Sequence, residues 1–192
     1  MQNILIIGAN QGIGYHMVSQ LLEDGNNVAV LDIQSDDICK LEKMYPDRLF
    51  VTYADATDEN SLKAAIEAAI ERFGVLDIAI HNACMCTFKS EPETDYEVYR
   101  QVMDVNYYGA LRLAKLVLPE MRKAGAGKII FTSSGVGVTG FGNISPYASS
   151  KGAIEALAKC LHIESLWNHI SYHASASDEY RFIKRTPCPE RV

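Results

Sequence analysis

The chain has 192 residues and a formal net charge of −6, from 18 Lys and Arg against 24 Asp and Glu. Hydrophobic residues make up 48% and charged residues 22%, a globular balance that excludes a disordered or fibrous chain. The acidic excess argues against nucleic acid or an anionic membrane as a partner, and a chain this long buries a core without disulfides or structural metal.

Asn3-Ile4-Leu5-Ile6-Ile7 is a short apolar run closed by Gly8, and it reads as a buried strand. Gly12 to Glu23 places Ile13, Met17, Val18, Leu21 and Leu22 at helical spacing and stops at Gly25. Val28 to Leu31 is a second strand ending at Asp32, residues 36–45 a helix, and Leu49 to Tyr53 a third strand. Asp58 is the expected N-cap of a helix over 59–73, with Leu62, Ala65, Ile66, Ala69 and Ile70 as its buried stripe. Residues 76–81 form strand four. After a polar connection over 84–95 comes a long helix over about 96–123, expected to bend near Gly109 and Pro119. Lys128 to Thr132 is strand five, residues 135–142 a glycine-rich loop, about 146–166 a second long helix, and Ile170 to His173 a weak sixth strand.

Strands that are apolar almost throughout and alternate with helices predict a parallel sheet covered on both faces. Right-handed crossovers then give a doubly wound α/β sheet. One domain is expected over 1–174, followed by an irregular tail over 175–192.

Gly8-Ala9-Asn10-Gln11-Gly12-Ile13-Gly14 sits where strand one ends and helix one begins. Glycines allow a sharp turn and close approach of a ligand, and a helix N-terminus offers unpaired N–H groups to a pyrophosphate. Asp32 ends the next strand, eighteen residues beyond Gly14, near the interval expected for a carboxylate that takes a ribose diol. That carboxylate would repel a 2′-phosphate and no Lys or Arg immediately follows it, so the expected cofactor is NAD rather than NADP.

The apolar opening MQNILIIGAN is too short and uncharged at its start for a secretory leader, and no run reaches the roughly 18 residues of a membrane helix. Five cysteines without a C-x-x-C pair fit a reduced, cytoplasmic compartment. No His/Cys pair completes a tetrahedral set with Cys84 and Cys86, so no metal site is expected. The five histidines show no triad spacing.

At this point the sequence resembles the short-chain dehydrogenase/reductase family over residues 3–166. Besides the glycine turn, Asp55-Ala56-Thr57 resembles the family's acidic turn against adenine, and His81-Asn82-Ala83-Cys84 its Asn-Asn-Ala-Gly motif. Asn106 matches its asparagine motif, and Tyr147-x-x-x-Lys151 its catalytic pair. Ser134, rather than Ser133, stands at the family's 13-residue offset before Tyr147. The resemblance implies a Rossmann-type three-layer sandwich. It implies cofactor contacts at Gly8, Asn10, Gln11, Gly12, Ile13, Gly14, Asp32, Asp55, Ala56, Asn82, Ala83, Tyr147 and Lys151, and catalysis by Asn106, Ser134, Tyr147 and Lys151. Tyr147 would be the general acid/base for a secondary alcohol or ketone, Ser134 would hold the substrate oxygen, Lys151 would bind the nicotinamide ribose, and Asn106 would hold a relay water. A free tyrosine has a pKa of about 10, and lowering it by three units corresponds to about 4 kcal/mol. One cation near 4 Å supplies about that much at an effective dielectric near 20, and Lys151 lies one helical turn on.

The resemblance also implies a homodimer or homotetramer through the helices at about 96–123 and 146–166, the second of which reads as apolar nearly all round. Two departures stand out. Cys84 replaces the motif's glycine, and 175–192 is too short for the family's substrate lobe and seventh strand, so the last strand is expected to be missing and strand six to be an edge. A second reading follows from the short end: an inactive relative that binds a dinucleotide or a partner subunit. The substrate itself is not legible.

Overall fold

Residue parity along the strands builds the layers. The computed structural model describes residues 1–165 and 170–175. Six parallel strands form one sheet in the order β3-β2-β1-β4-β5-β6: β1 Asn3–Ile7, β2 Asn27–Asp32, β3 Leu49–Tyr53, β4 Ile78–His81, β5 Gly127–Thr132 and β6 Ile170–Ser175. Even positions (Ile4, Ile6, Val28, Val30, Ile78, Ile80) face one layer, with Met17, Val18, Leu21 and Leu22 of α1 (Gly12–Glu23) and Ile38 and Leu41 of α2 (Ile38–Met44). Odd positions (Leu5, Ile7, Ala29, Leu31, Ala79, Ile129, Phe131) face the other. There they meet α3 (Glu59–Phe73), α5 (Gly109–Ala124) and α7 (Ser145–Ser165). The side chains of Ile4, Leu5, Leu31 and Ile80 are fully buried, each stabilising the fold by about 1.5–3 kcal/mol relative to exposure. This is the doubly wound, Rossmann-type three-layer sheet.

Local chemistry sets the helix ends. Asp58 caps α3 as expected, its Oδ1 accepting from Asn60 N at 2.9 Å and Ser61 N at 3.3 Å. The helix expected over 96–123 is instead three pieces: α4 (Tyr96–Met103), a π-turn (Asp104–Tyr108) and α5. The break falls just before Gly109, while Pro119 lies inside α5 without ending it. A single π-turn adds one residue to the helical ring and rotates its side chains. Here it carries the polar Asn106 to a position with no exposed surface.

The loop expected over 135–142 contains a short helix, α6 (Val136–Thr139), and α2 starts two residues later than expected. In the single chain α7 buries Ser150, Lys151, Ile154 and Ala158 but leaves Ala156 and Ile163 exposed, so it is not covered all round. Strand six pairs with β5 from Gly127↔Ile170 to Thr132↔Ser175 and is the edge of the sheet among the described residues. It ends one residue past the expected domain boundary, and the tail beyond it lies outside the described residues. No described helix is long and apolar enough to cross a membrane.

Candidate active site

A cleft of about 620 Å³ crosses the carboxyl ends of the strands, where the sheet order reverses between β1 and β4. Open α/β sheets form their ligand crevices at such a switch point. The cleft brings together Gly8, Asn10, Gln11, Ile13, Asp32, Asp55, Ala56, Asn82, Ala83, Ser134, Tyr147 and Lys151. Gly12, Gly14 and Asn106 are not among its lining residues; Gly12 faces an adjoining shallow depression with Tyr15, His16 and Lys40.

The glycine turn is built for close approach. Gly8 has φ +82°, and a Cβ there would lie 2.4 Å from the Cα and N of Ala83. Gly12 has φ +61°, and a Cβ there would meet nothing within 4 Å. Gly14 packs α1 onto the strand end, since its Cβ would lie 2.5 Å from Gly8 O. The N-terminus of α1 has no side-chain cap and no acidic residue in its first turn, unlike α3. Its first-turn N–H groups are therefore left without a side-chain cap or an acidic residue of the same turn to take them.

Asp32 is held by main-chain donors: Asn10 N at 2.8 Å on Oδ2 and Gln34 N at 3.0 Å on Oδ1. The side chain of Asn10 turns away from the cleft chemistry. Its Oδ1 accepts from Asp37 N at 3.0 Å and Ile38 N at 3.2 Å, fastening the glycine turn to the start of α2. Asp55 closes its own turn, its Oδ1 accepting the N–H and hydroxyl of Thr57, both at 2.8 Å. Asn82 is a strut: its Nδ2 donates to Gly8 O, and its Oδ1 accepts from the Thr132 hydroxyl at 3.0 Å. One amide thus ties the ends of β1, β4 and β5.

At the other end of the cleft, Lys151 is 1% exposed. Its Nζ donates to Thr132 O at 2.6 Å and lies 5.4 Å from the centroid of the Tyr147 ring. The i, i+4 pair therefore does share one face. Ser134 Oγ accepts from Val136 N at 3.4 Å, which turns its hydroxyl toward the start of α6. Asn106 Nδ2 donates to Met85 O at 3.0 Å and to Ser150 Oγ at 2.9 Å, while its Oδ1 accepts from Met85 N at 2.7 Å. Both amide hydrogens are committed, so the side chain of residue 106 has no donor left to hold a relay water. Sequence reasoning missed Thr132 and Ser150, which anchor the lysine and the asparagine. Thr132 acts through its main-chain carbonyl and Ser150 through an ordinary hydroxyl, and neither carries a sequence signal of that role.

His81 is the motif residue that departs furthest in chemistry. It is 1% exposed, and neither ring nitrogen has a hydrogen-bond partner among the described residues. Its Nε2 would lie 2.7 Å from a Cβ on Gly109. Burial, reinforced by the Lys151 charge, pushes its pKa from 6.5 down to about 3. The unfolded chain takes a proton near pH 6.5 that the folded chain refuses until about pH 3, so stability is lost as pH falls through that window. Urea unfolding of the chain at pH 5.0 should therefore give about 2 kcal/mol less stability than at pH 7.5. His81→Asn should flatten that slope; an equally steep slope in the variant would refute the assignment.

Residues 2–176 match the family model of the short chain dehydrogenases. The chain belongs to this family. It is 32% identical over 162 residues to L-fucose dehydrogenase of Bos taurus, covering 84% of this chain and 59% of the relative. It is 35% identical over 165 residues to trans-4-hydroxycyclohexanecarboxylate dehydrogenase of Sinomonas cyclohexanicum, covering 81% and 63%. The chain thus spans about three fifths of the length of these curated relatives. Among solved structures, NAD+-bound xylitol dehydrogenase superposes with a TM-score of 0.85 at 26% identity, covering 90% of this chain and 68% of that one. A short-chain dehydrogenase from Streptomyces avermitilis gives 0.86 at 25% identity, covering 92% and 65%.

Proposed function

We propose that this short-chain dehydrogenase relative is an NAD-dependent oxidoreductase that moves a hydride between a secondary alcohol or ketone and nicotinamide. The observation that carries the reading is the single cleft with a bare glycine turn and Asp32 at one end and Ser134, Tyr147 and Lys151 at the other. The open space at Gly12 and the uncapped α1 N-terminus fit a diphosphate. Gly8, Gln11, Ile13 and Asp32 would hold the adenosine and diphosphate portions, with Asp55, Ala56, Asn82 and Ala83 along the floor. The relatives named above are dehydrogenases, which supports the reaction class.

Nicotinamide, when bound, supplies the hydride acceptor or donor. The chain's residues do the rest. Tyr147 takes the alcohol proton, or returns it to a ketone oxygen. Ser134 donates a hydrogen bond to the same oxygen and fixes its distance from Tyr147. Lys151, positioned by Thr132 O, favours the phenolate through its charge and reaches the ribose. Asn106 holds the loop at Met85 against α7 and so sets the cleft wall.

Lys151 is the one Lys or Arg among the described residues lining the cleft, and it stands at the end away from Asp32. NADH is therefore expected to bind at least about tenfold tighter than NADPH, and Asp32→Asn to narrow that gap to about threefold. Fluorescence titration of both dinucleotides checks this; tighter NADPH binding by the wild type would overturn the NAD preference. A panel of secondary alcohols and ketones then tests turnover, and cofactor binding without any turnover would overturn the enzyme reading.

The family resemblance also implies a second copy of the chain against the segments at about 96–123 and 146–166, where Tyr96 of α4, Tyr108 of the π-turn and Ile163 of α7 are exposed. Sedimentation at equilibrium distinguishes monomer from dimer or tetramer. The free thiols at Cys39, Cys84, Cys86 and Cys160 suit a reducing, cytoplasmic setting.

A further inference from the structure

Cys84 stands where the family motif has glycine, on the cleft wall that also carries Tyr147 and Lys151. From residue 84 to 88 exposure alternates: Cys84, Cys86 and Phe88 are open, and Met85 and Thr87 are partly covered. That is the period of extended chain, in which residues two apart share a side. Both thiols are free, and both stand on the open side. Met85 between them is pinned at both main-chain polar groups by the fully buried Asn106 amide, at 2.7 and 3.0 Å. The pair is therefore presented on a fixed stretch of chain at the edge of the cleft.

We propose that Cys84 and Cys86 form an exposed thiol pair that takes small disulfides and related soft electrophiles, and that a group carried on Cys84 excludes a dinucleotide from the cleft. The exclusion rests on reading the cleft as the dinucleotide site. In the reaction, the Cys84 thiolate attacks one sulfur of a disulfide R–S–S–R. A Cys84–S–S–R bond forms, the reagent's S–S bond breaks, and RS⁻ leaves and takes up the proton lost from Cys84. The protein sulfur is oxidised and half of the reagent is reduced to RSH. Cys84 lines the cleft and Cys86 does not, so the adduct that matters to the cleft is the one on Cys84.

Closure to a Cys84–Cys86 disulfide is opposed. Residues two apart in extended chain have Cα atoms about 6.6 Å apart, at the upper end of the roughly 4.4–6.8 Å that disulfides span. Shortening that distance means turning Met85 out of both bonds to Asn106. The adduct therefore stays on Cys84, on the wall of a cleft of about 620 Å³. An occupied cleft in turn covers the thiol.

The test uses dithiobis(nitrobenzoate) as the disulfide, peptide mass spectrometry to map the adducts, and NADH fluorescence to read the cleft. The exposed Cys160 on α7 is the internal reference. Saturating NADH should slow labelling of Cys84 at least about tenfold and leave Cys160 unchanged. Labelled chain should lose NADH affinity at least about tenfold and regain it after dithiothreitol. The same treatment should leave the Kd of Cys84→Ser where it stood before treatment, while Cys86→Ser should respond as the wild type does. If NADH binds the untreated chain but leaves Cys84 labelling unchanged, or binds labelled chain equally well, the proposal is overturned and the dinucleotide reading stands. Rapid conversion of the adduct to a Cys84–Cys86 disulfide also overturns it. Absence of NADH binding to untreated chain overturns both readings.

Discussion

Tyr147→Phe is expected to lower the rate of hydride transfer by about 10²–10⁴-fold while raising the NADH Kd by no more than about threefold. The substitution deletes one hydroxyl from a half-buried ring and leaves the packing of α7 intact. The Lys151 ammonium, 5.4 Å from that ring, stays on Thr132 O because the carbonyl belongs to the main chain of β5. What disappears is the hydroxyl proposed to carry the substrate proton. Single-turnover rates with an active substrate from the panel, beside NADH titration of the same sample, separate the two effects. A rate unchanged by the substitution would remove Tyr147 from the chemistry. Equal loss of rate and cofactor affinity would make it a binding residue instead.

The second large effect lies at the glycine turn, where two substitutions of the same kind should diverge. Gly8→Ala places a Cβ 2.4 Å from the main chain of Ala83, at φ +82°. Neither strand end can yield without breaking the bonds from Asn82 N and Ala83 N to Ile7 O, at 2.9 and 2.8 Å. A stability loss of about 3 kcal/mol is expected, from left-handed strain and overpacking together, with loss of NADH binding. Gly12→Ala meets nothing within 4 Å, so only the strain of φ +61° remains, about 1 kcal/mol. Its added methyl stands where a diphosphate would approach the bare end of α1, so NADH affinity should fall at least about tenfold in a chain that still folds. Urea unfolding and fluorescence titration on the two variants check the split. Equal destabilisation would refute the packing difference between the two positions, and an unchanged NADH affinity of Gly12→Ala would remove the diphosphate from the space at Gly12.

The strands and the layer order were legible because the apolar runs are short and bounded by Gly8, Asp32 and Thr132, and because parity along them repeats. Helix α1 and the Asp58 cap could be read to the residue, since each has a local signal. The interruption of the helix after Met103 could be read only as a bend near Gly109, not as a π-turn. A π-turn is decided by what surrounds Asn106, namely Met85 from one loop and Ser150 from another helix, and periodicity within 96–123 says nothing about either. The same reason explains the short helix α6 inside a glycine-rich loop.

At the site, motif positions pointed to the residues that share the cleft, but not to what their side chains do there. Asn10 and Asn82 resemble cofactor contacts in sequence, yet their amides bind α2 and the strand ends. Their roles depend on partners 27 to 74 residues away, which no local pattern encodes.

The amide of residue 106 touches a loop on one side and, through Ser150, the helix bearing Tyr147 and Lys151 on the other. Those two parts are bolted to one frame, so any breathing of the mouth must originate elsewhere. Farther out, the same two regions meet again through the bond from Lys89 N to Asn143 O at 2.8 Å, so the wall beside Cys84 is tied at an inner and an outer point.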